Sequence, residues 1–215
     1  MRRVLVLALL SLVLPIAAWA DPITFTNQYG SISVLSTGIT STGSQLLTWG
    51  TFSAAPHSAL GSVSFVTGAL ATGTLRYGGT FAGGTTTSAN GTSFDVTGIG
   101  SWASKLTGSK CGTGCALFTG WFVGPIDWTL TSAPGSKNLT FVLSGDIYGE
   151  LWNGRYVKGF TTQDIYTVNG QLNQGIGHIK MGTSTVGVPE PGTLGLLGTG
   201  LVGIAGLFRR KRIRT

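Results

Sequence analysis

Residues 126–130 read Ile-Asp-Trp-Thr-Leu, residues 139–143 Leu-Thr-Phe-Val-Leu, and residues 147–152 Ile-Tyr-Gly-Glu-Leu-Trp. Apolar residues recur at every second position, which is the period of a strand with one buried face. Ile126, Trp128 and Leu130 share a face, opposite Asp127, Thr129 and Thr131. Leu139, Phe141 and Leu143 repeat the pattern after Ala133-Pro134-Gly135-Ser136, a turn by composition. Ile147, Gly149 and Leu151 then oppose Tyr148, Glu150 and Trp152. Trp128, aligned with Ile126 and Leu130, is expected in the core. Ala116–Val123 is apolar on both faces, which suits a central strand.

Working outward, helical periodicity is nearly absent from residues 21–187. Asn90-Gly91, Asn153-Gly154 and Asn169-Gly170 are pairs favoured in type I′ hairpins, where both central residues need positive φ. The last two bracket residues 155–169, so Lys137 to Gln171 reads as a meander. Further strands are expected at Ile23–Thr26, Ser31–Leu35, Leu46–Phe52, Val63–Thr67, Thr74–Phe81 and Phe94–Ile99. An echo between residues 64–68 and 93–98 is not sustained, so a repeat architecture is not indicated. The expected fold is all-β: an antiparallel β-sandwich or barrel-like domain over residues 21–181. Glycine is abundant, at 35 of 215 residues, yet aromatic residues make up 10%. That aromatic content argues for a folded core over disorder. Residues 182–188, Gly-Thr-Ser-Thr-Val-Gly-Val, read as a short linker.

Both ends carry their own signals. Met1-Arg2-Arg3 is followed by a short apolar run, Val4–Leu14, and then by Ala18-Trp19-Ala20. A basic start, an apolar run too short for a bilayer and a small-x-small site describe a signal peptide, residues 1–20. Ala18 and Ala20 suit signal peptidase, with cleavage after Ala20. At the other end Pro189-Glu190-Pro191 precedes an uncharged run, Thr193–Phe208. Arg209-Arg210-Lys211-Arg212-Ile213-Arg214 closes it. The run covers roughly 24 Å as a helix, short of a roughly 30 Å hydrocarbon core. Flanking arginines can snorkel to complete a single transmembrane helix. The terminal basic cluster favours the cytoplasmic side, which leaves the middle of the chain outside.

Motif, apolar helix and basic cluster, in that order, resemble the PEP-CTERM sorting tail of Gram-negative bacteria (residues 189–215). The resemblance implies exosortase as processing partner, cutting at or near Pro189-Glu190-Pro191. It implies an inner-membrane anchor before processing, then the cell surface or matrix, often with exopolysaccharide. It says little about what residues 21–188 do.

The formal charge of +7 belongs to this topology. Seven of the 14 basic residues lie at positions 2–3 and 209–214. Between Asp21 and Glu190 basic and acidic residues balance, which removes the support for nucleic-acid binding. Cys111 and Cys115, a close pair in an exported chain, are expected to form a disulfide that pins one loop. C-x-x-C redox spacing is absent, and no metal-ligand cluster accompanies the pair.

No catalytic constellation emerges, and no cofactor or metal is expected. His57 and His178 lack triad partners in the sequence and read as surface or edge residues. Asp146 and Glu150 share a strand face about 13 Å apart at 3.3 Å per residue. Glycosidase carboxylates stand about 5–9.5 Å apart, and Asp127 on a neighbouring strand could come closer to either. The expected role is non-enzymatic, structural or matrix-associated. The alternative is a carbohydrate-binding or adhesive module using Tyr148 and Trp152 as a glycan platform, and glycoside hydrolysis is a minor third. Replacing Pro189, Glu190 and Pro191 together by alanine is expected to leave an unprocessed, membrane-bound form. Normal processing of that variant on an immunoblot would refute the sorting assignment.

Overall fold

Each long strand finds an antiparallel partner in the next, and the last finds the first. The computed structural model describes residues 22–133, 136–167 and 177–187. The expectations for residues 1–20, Pro134-Gly135, Asn169-Gly170 and 188–215 fall outside these. That covers the signal peptide with Ala18 and Ala20, the motif at Pro189, Glu190 and Pro191, and the transmembrane helix. Pro22–Gly187 form one compact unit.

Eight strands make a ring. β1 (Ile23–Leu35), β2 (Gly38–Trp49), β4 (Gly61–Val66), β7 (Ser93–Gly98), β8 (Cys115–Leu130), β9 (Leu139–Leu151), β10 (Tyr156–Thr167) and β11 (Gly177–Gly187) follow one another in order. β11 then pairs antiparallel with β1, with Ile23 opposite Val186. The result is a closed up-and-down barrel, which settles the sandwich-or-barrel alternative. Closure leaves no exposed edge in the ring. Three short strands decorate it. β3 (Phe52–Ser53) pairs with β2, and the β5–β6 hairpin (Leu70–Thr74, Gly78–Phe81) pairs with the far half of β8.

Inward residues fill the barrel. Phe94 lies at the centre of an aromatic cluster, with ring centroids 5.6–6.2 Å from those of Phe25, Phe65, Phe118 and Phe122. Trp128 is buried, as its alignment predicts, and stacks on Phe141 at 4.2 Å. Between the apolar layers sits a polar one. Asn27 Nδ2 donates to Ser44 Oγ (2.8 Å) and Gln163 Oε1 (2.9 Å), and Gln163 Nε2 donates to Thr161 Oγ1 (2.9 Å). These buried amides satisfy one another and avoid the cost of unpaired polar groups. Gly182 makes room for them: a Cβ there would run into Asn27 and Gln163.

Several boundaries depart from the sequence reading. Ile23–Thr26 and Ser31–Leu35 are one strand, interrupted by an irregularity at Tyr29 (φ 65°) and Gly30 (φ 83°). Residues 38–45, unassigned by pattern, are strand, and Thr74–Phe81 spans the β5–β6 turn. The linker is a correction: residues 182–187 form the second half of β11, with Ser184 and Val186 inward. Small residues there had masked the alternation. Asn90 and Gly91 both take positive φ, 47° and 74°, as a type I′ turn requires. Asn153-Gly154 does not follow suit. Only Gly154 is left-handed (φ 79°), in a three-residue loop where Leu151 N donates to Arg155 O. One helix, α1 (Gly100–Thr107), was not anticipated; it ends at Gly108 (φ 71°). Among the described residues no helix is long and apolar enough to cross a membrane.

Phe94→Ala should remove the shared ring of the cluster and cost about 3–5 kcal/mol, a large part of a typical total of about 5–15 kcal/mol. The check is the urea midpoint at unchanged slope. An unshifted midpoint would contradict this packing.

Candidate functional site: an aromatic row on the outer face

Alternation puts every second residue of β8, β9 and β10 on the outside. Cross-strand register then sorts them into rows. Trp121 stands opposite Tyr148, and Tyr148 opposite Lys158; Glu150 stands opposite Tyr156. The Tyr148 ring lies between two others. Trp121 meets it edge-on at 5.5 Å and 70°, and Tyr156 stacks on it at 5.7 Å and 22°. Tyr156 is 53% exposed, and Trp121 and Tyr148 are half-buried. This is a continuous aromatic row open to solvent.

The row is held from outside the barrel. Trp121 Nε1 donates to Thr85 O at 2.7 Å, which fastens the loop before β7 over the strands. Gly124 N donates to Gly84 O and Gly84 N to Phe122 O, tying the same loop to β8. Beneath the loop lies a cleft of about 180 Å³ lined by Thr86, Val123, Asp146, Tyr148 and Lys158, among others. Its chemistry is mixed: one aromatic flank, a carboxylate, an ammonium and a hydroxyl.

Other sequence candidates are placed as follows. Asp146 and Glu150 are exposed on one face, as expected, with Tyr148 between them. Asp127 faces the same side on β8, opposite Ser144, past an irregularity between Val123 and Asp127. Trp152 does not join Tyr148. β9 ends at Leu151, so the even spacing lapses, and the Trp152 ring packs edge-on against buried Trp49 at 6.0 Å. The exposed aromatic row therefore consists of Trp121, Tyr148 and Tyr156. Trp121 was missed because its segment reads as apolar on both faces, and Tyr156 because it follows the turn. Cys111 and Cys115 are disulfide-bonded, with Cα atoms 5.1 Å apart, joining the loop after α1 to the start of β8. His57 is exposed in a loop, and exposed His178 meets Gly30 O through Nδ1 at 3.0 Å.

Comparison with known proteins bears on the far end of the chain. The family profile of the PEP-CTERM protein-sorting motif matches residues 187–212. No curated protein and no solved structure matches the chain. The motif implies an exported chain, anchored in the membrane before exosortase processes it.

One carboxylate beside the row is perturbed. Asp95 on β7 lies between Ser64 of β4 and Thr119 of β8. Burial raises its carboxyl above the ordinary value, and a hydrogen bond with Ser93 partly offsets this. A raised folded-state pKa means that the native state holds the proton more tightly. Stability therefore falls as pH rises from the ordinary carboxylate value through the raised one. Asp95→Asn should stabilise the barrel at neutral pH and remove that part of the decline. Thermal melts between about pH 4 and pH 7 test this; identical profiles for both proteins would refute it.

Proposed function

We propose that residues 21–188 are a non-catalytic component of the extracellular matrix that binds carbohydrate on the outer face of β8–β10. The observation that carries this reading is the exposed row Trp121–Tyr148–Tyr156 beside the Asp146–Lys158 cleft. Pyranose rings present flat C–H faces that pack on aromatic rings, and their hydroxyls need donors and acceptors at the edge. The row supplies the first; Asp146, Lys158 and Thr86 supply the second. The sorting motif supports the location, since exosortase processing would release the barrel where polysaccharide is the abundant ligand.

Asp127, Asp146 and Glu150 belong to this face as hydrogen-bonding edges. The reading assigns no turnover to them. Asp146 and Glu150 flank Tyr148, and Asp127 stands opposite Ser144, the next outward residue to Asp146.

The test is co-sedimentation of residues 21–188 with the producing organism's exopolysaccharide at several salt concentrations. Binding should survive salt. It should weaken about tenfold, equivalent to about 1.4 kcal/mol, in Trp121→Ala and in Tyr148→Ala. Trp152→Ala should alter stability and leave the affinity of the folded protein unchanged. Absence of binding by the parent protein would favour a passive structural role and turn the search to protein partners.

A further inference from the structure

We propose that the rim of the barrel carrying both chain ends docks on an anionic lipid surface. Ile23 pairs with Val186, so the first and last ladder residues lie side by side. The same rim holds the end of β2 with β3, helix α1 and its loop, and the β9–β10 turn. Ring contacts link these pieces: Phe52 to Trp102 at 5.2 Å, and Trp49 to Trp152 at 6.0 Å.

Charge is distributed unevenly. Lys105, Lys110, Arg155 and Lys158 are exposed on or beside this rim, against two carboxylates, Glu150 and the Asp146 that lines the cleft with Lys158. Elsewhere in the described residues the charges balance: three cations, Arg76, Lys137 and Lys180, and three carboxylates, Asp95, Asp127 and Asp164. Asp21, just before the described residues, adds one negative charge, which the amine freed by cleavage after Ala20 would offset. Exposed apolar groups share the rim: Phe52 is 39% exposed, Ile99 40% and Tyr156 53%. Basic residues with aromatic rings at one level are what a headgroup layer attracts, the cations to anionic lipid and the rings to the interface.

Chain length favours a bilayer as the occupant. β11 ends at Gly187, and the uncharged run begins at Thr193. Five residues separate them, which allow at most roughly 20 Å of extended chain. The anchoring that the sorting motif implies would keep the barrel within that reach of a bilayer. Its basic, aromatic rim is the surface that gains by facing that bilayer.

The experiment uses the full chain in lipid nanodiscs, either phosphatidylcholine alone or phosphatidylcholine with phosphatidylglycerol. Hydrogen–deuterium exchange is followed at residues 100–110 and 152–158, with the β1–β2 turn, residues 35–38 at the opposite rim, as the reference. On anionic discs exchange at the first two segments should slow by about fivefold relative to neutral discs, and raised salt should erase the difference. The variant Lys105→Glu/Lys110→Glu/Arg155→Glu should lose the effect while the reference segment exchanges as in the parent. Equal exchange on both lipids, or slowing that persists in the variant, would overturn the proposal. Lys158 is left intact because it lines the cleft, so this result and that of the polysaccharide assay stand apart.

Discussion

Thr24 and Thr185 lie 161 residues apart in the chain, yet their hydroxyls meet at 3.2 Å across the β1–β11 ladder. That ladder turns a twisted open sheet into a closed barrel. Without it β1 and β11 would each present a row of unpaired backbone groups. The interior also depends on it. Asn27 of β1 reaches Gln163 of β10 across the space that Gly182 of β11 leaves open. The buried amide layer is assembled only when β11 is in place between β1 and β10. Aromatic packing around Phe94 completes the opposite wall.

The outer face is mostly small and hydroxylated. Thr26 meets Thr48 at 2.7 Å and Ser62 meets Thr97 at 2.7 Å across neighbouring strands. Such short pairs satisfy each other and offer little apolar area. Against this background the row on β8–β10 stands out, because three aromatic rings gather where the loop before β7 folds over the barrel. A strand position with no packing demand can hold almost any residue. Rings placed there side by side need a reason other than the core.

Much of the strand content was legible in the sequence. Alternation at 126–130 and 139–151 reports a buried face directly, and β8 and β9 follow from it. Alternation does not say whether that face meets a second sheet or the far wall of a barrel. Both bury one side of every strand, and the deciding β1–β11 pair is long-range. Glycine-rich strands were harder still. At 182–187 inward Ser184 and Val186 alternate with outward Thr183 and Thr185, a contrast too weak to separate strand from linker. The platform was half legible for a similar reason. Tyr148 follows from register, whereas the partners of its ring come from neighbouring strands whose register the sequence does not print. Trp152 was misplaced by extending a period one residue past the end of β9.

A ring closed by its first and last strands cannot be finished early. Until β11 is in place, β1 has no partner on that side, and the amide layer has no third wall. Topologies that join distant segments also fold slowly. The closing strand is the last of the described strands in chain order, so the ring can close only after the seven others are in place to receive it.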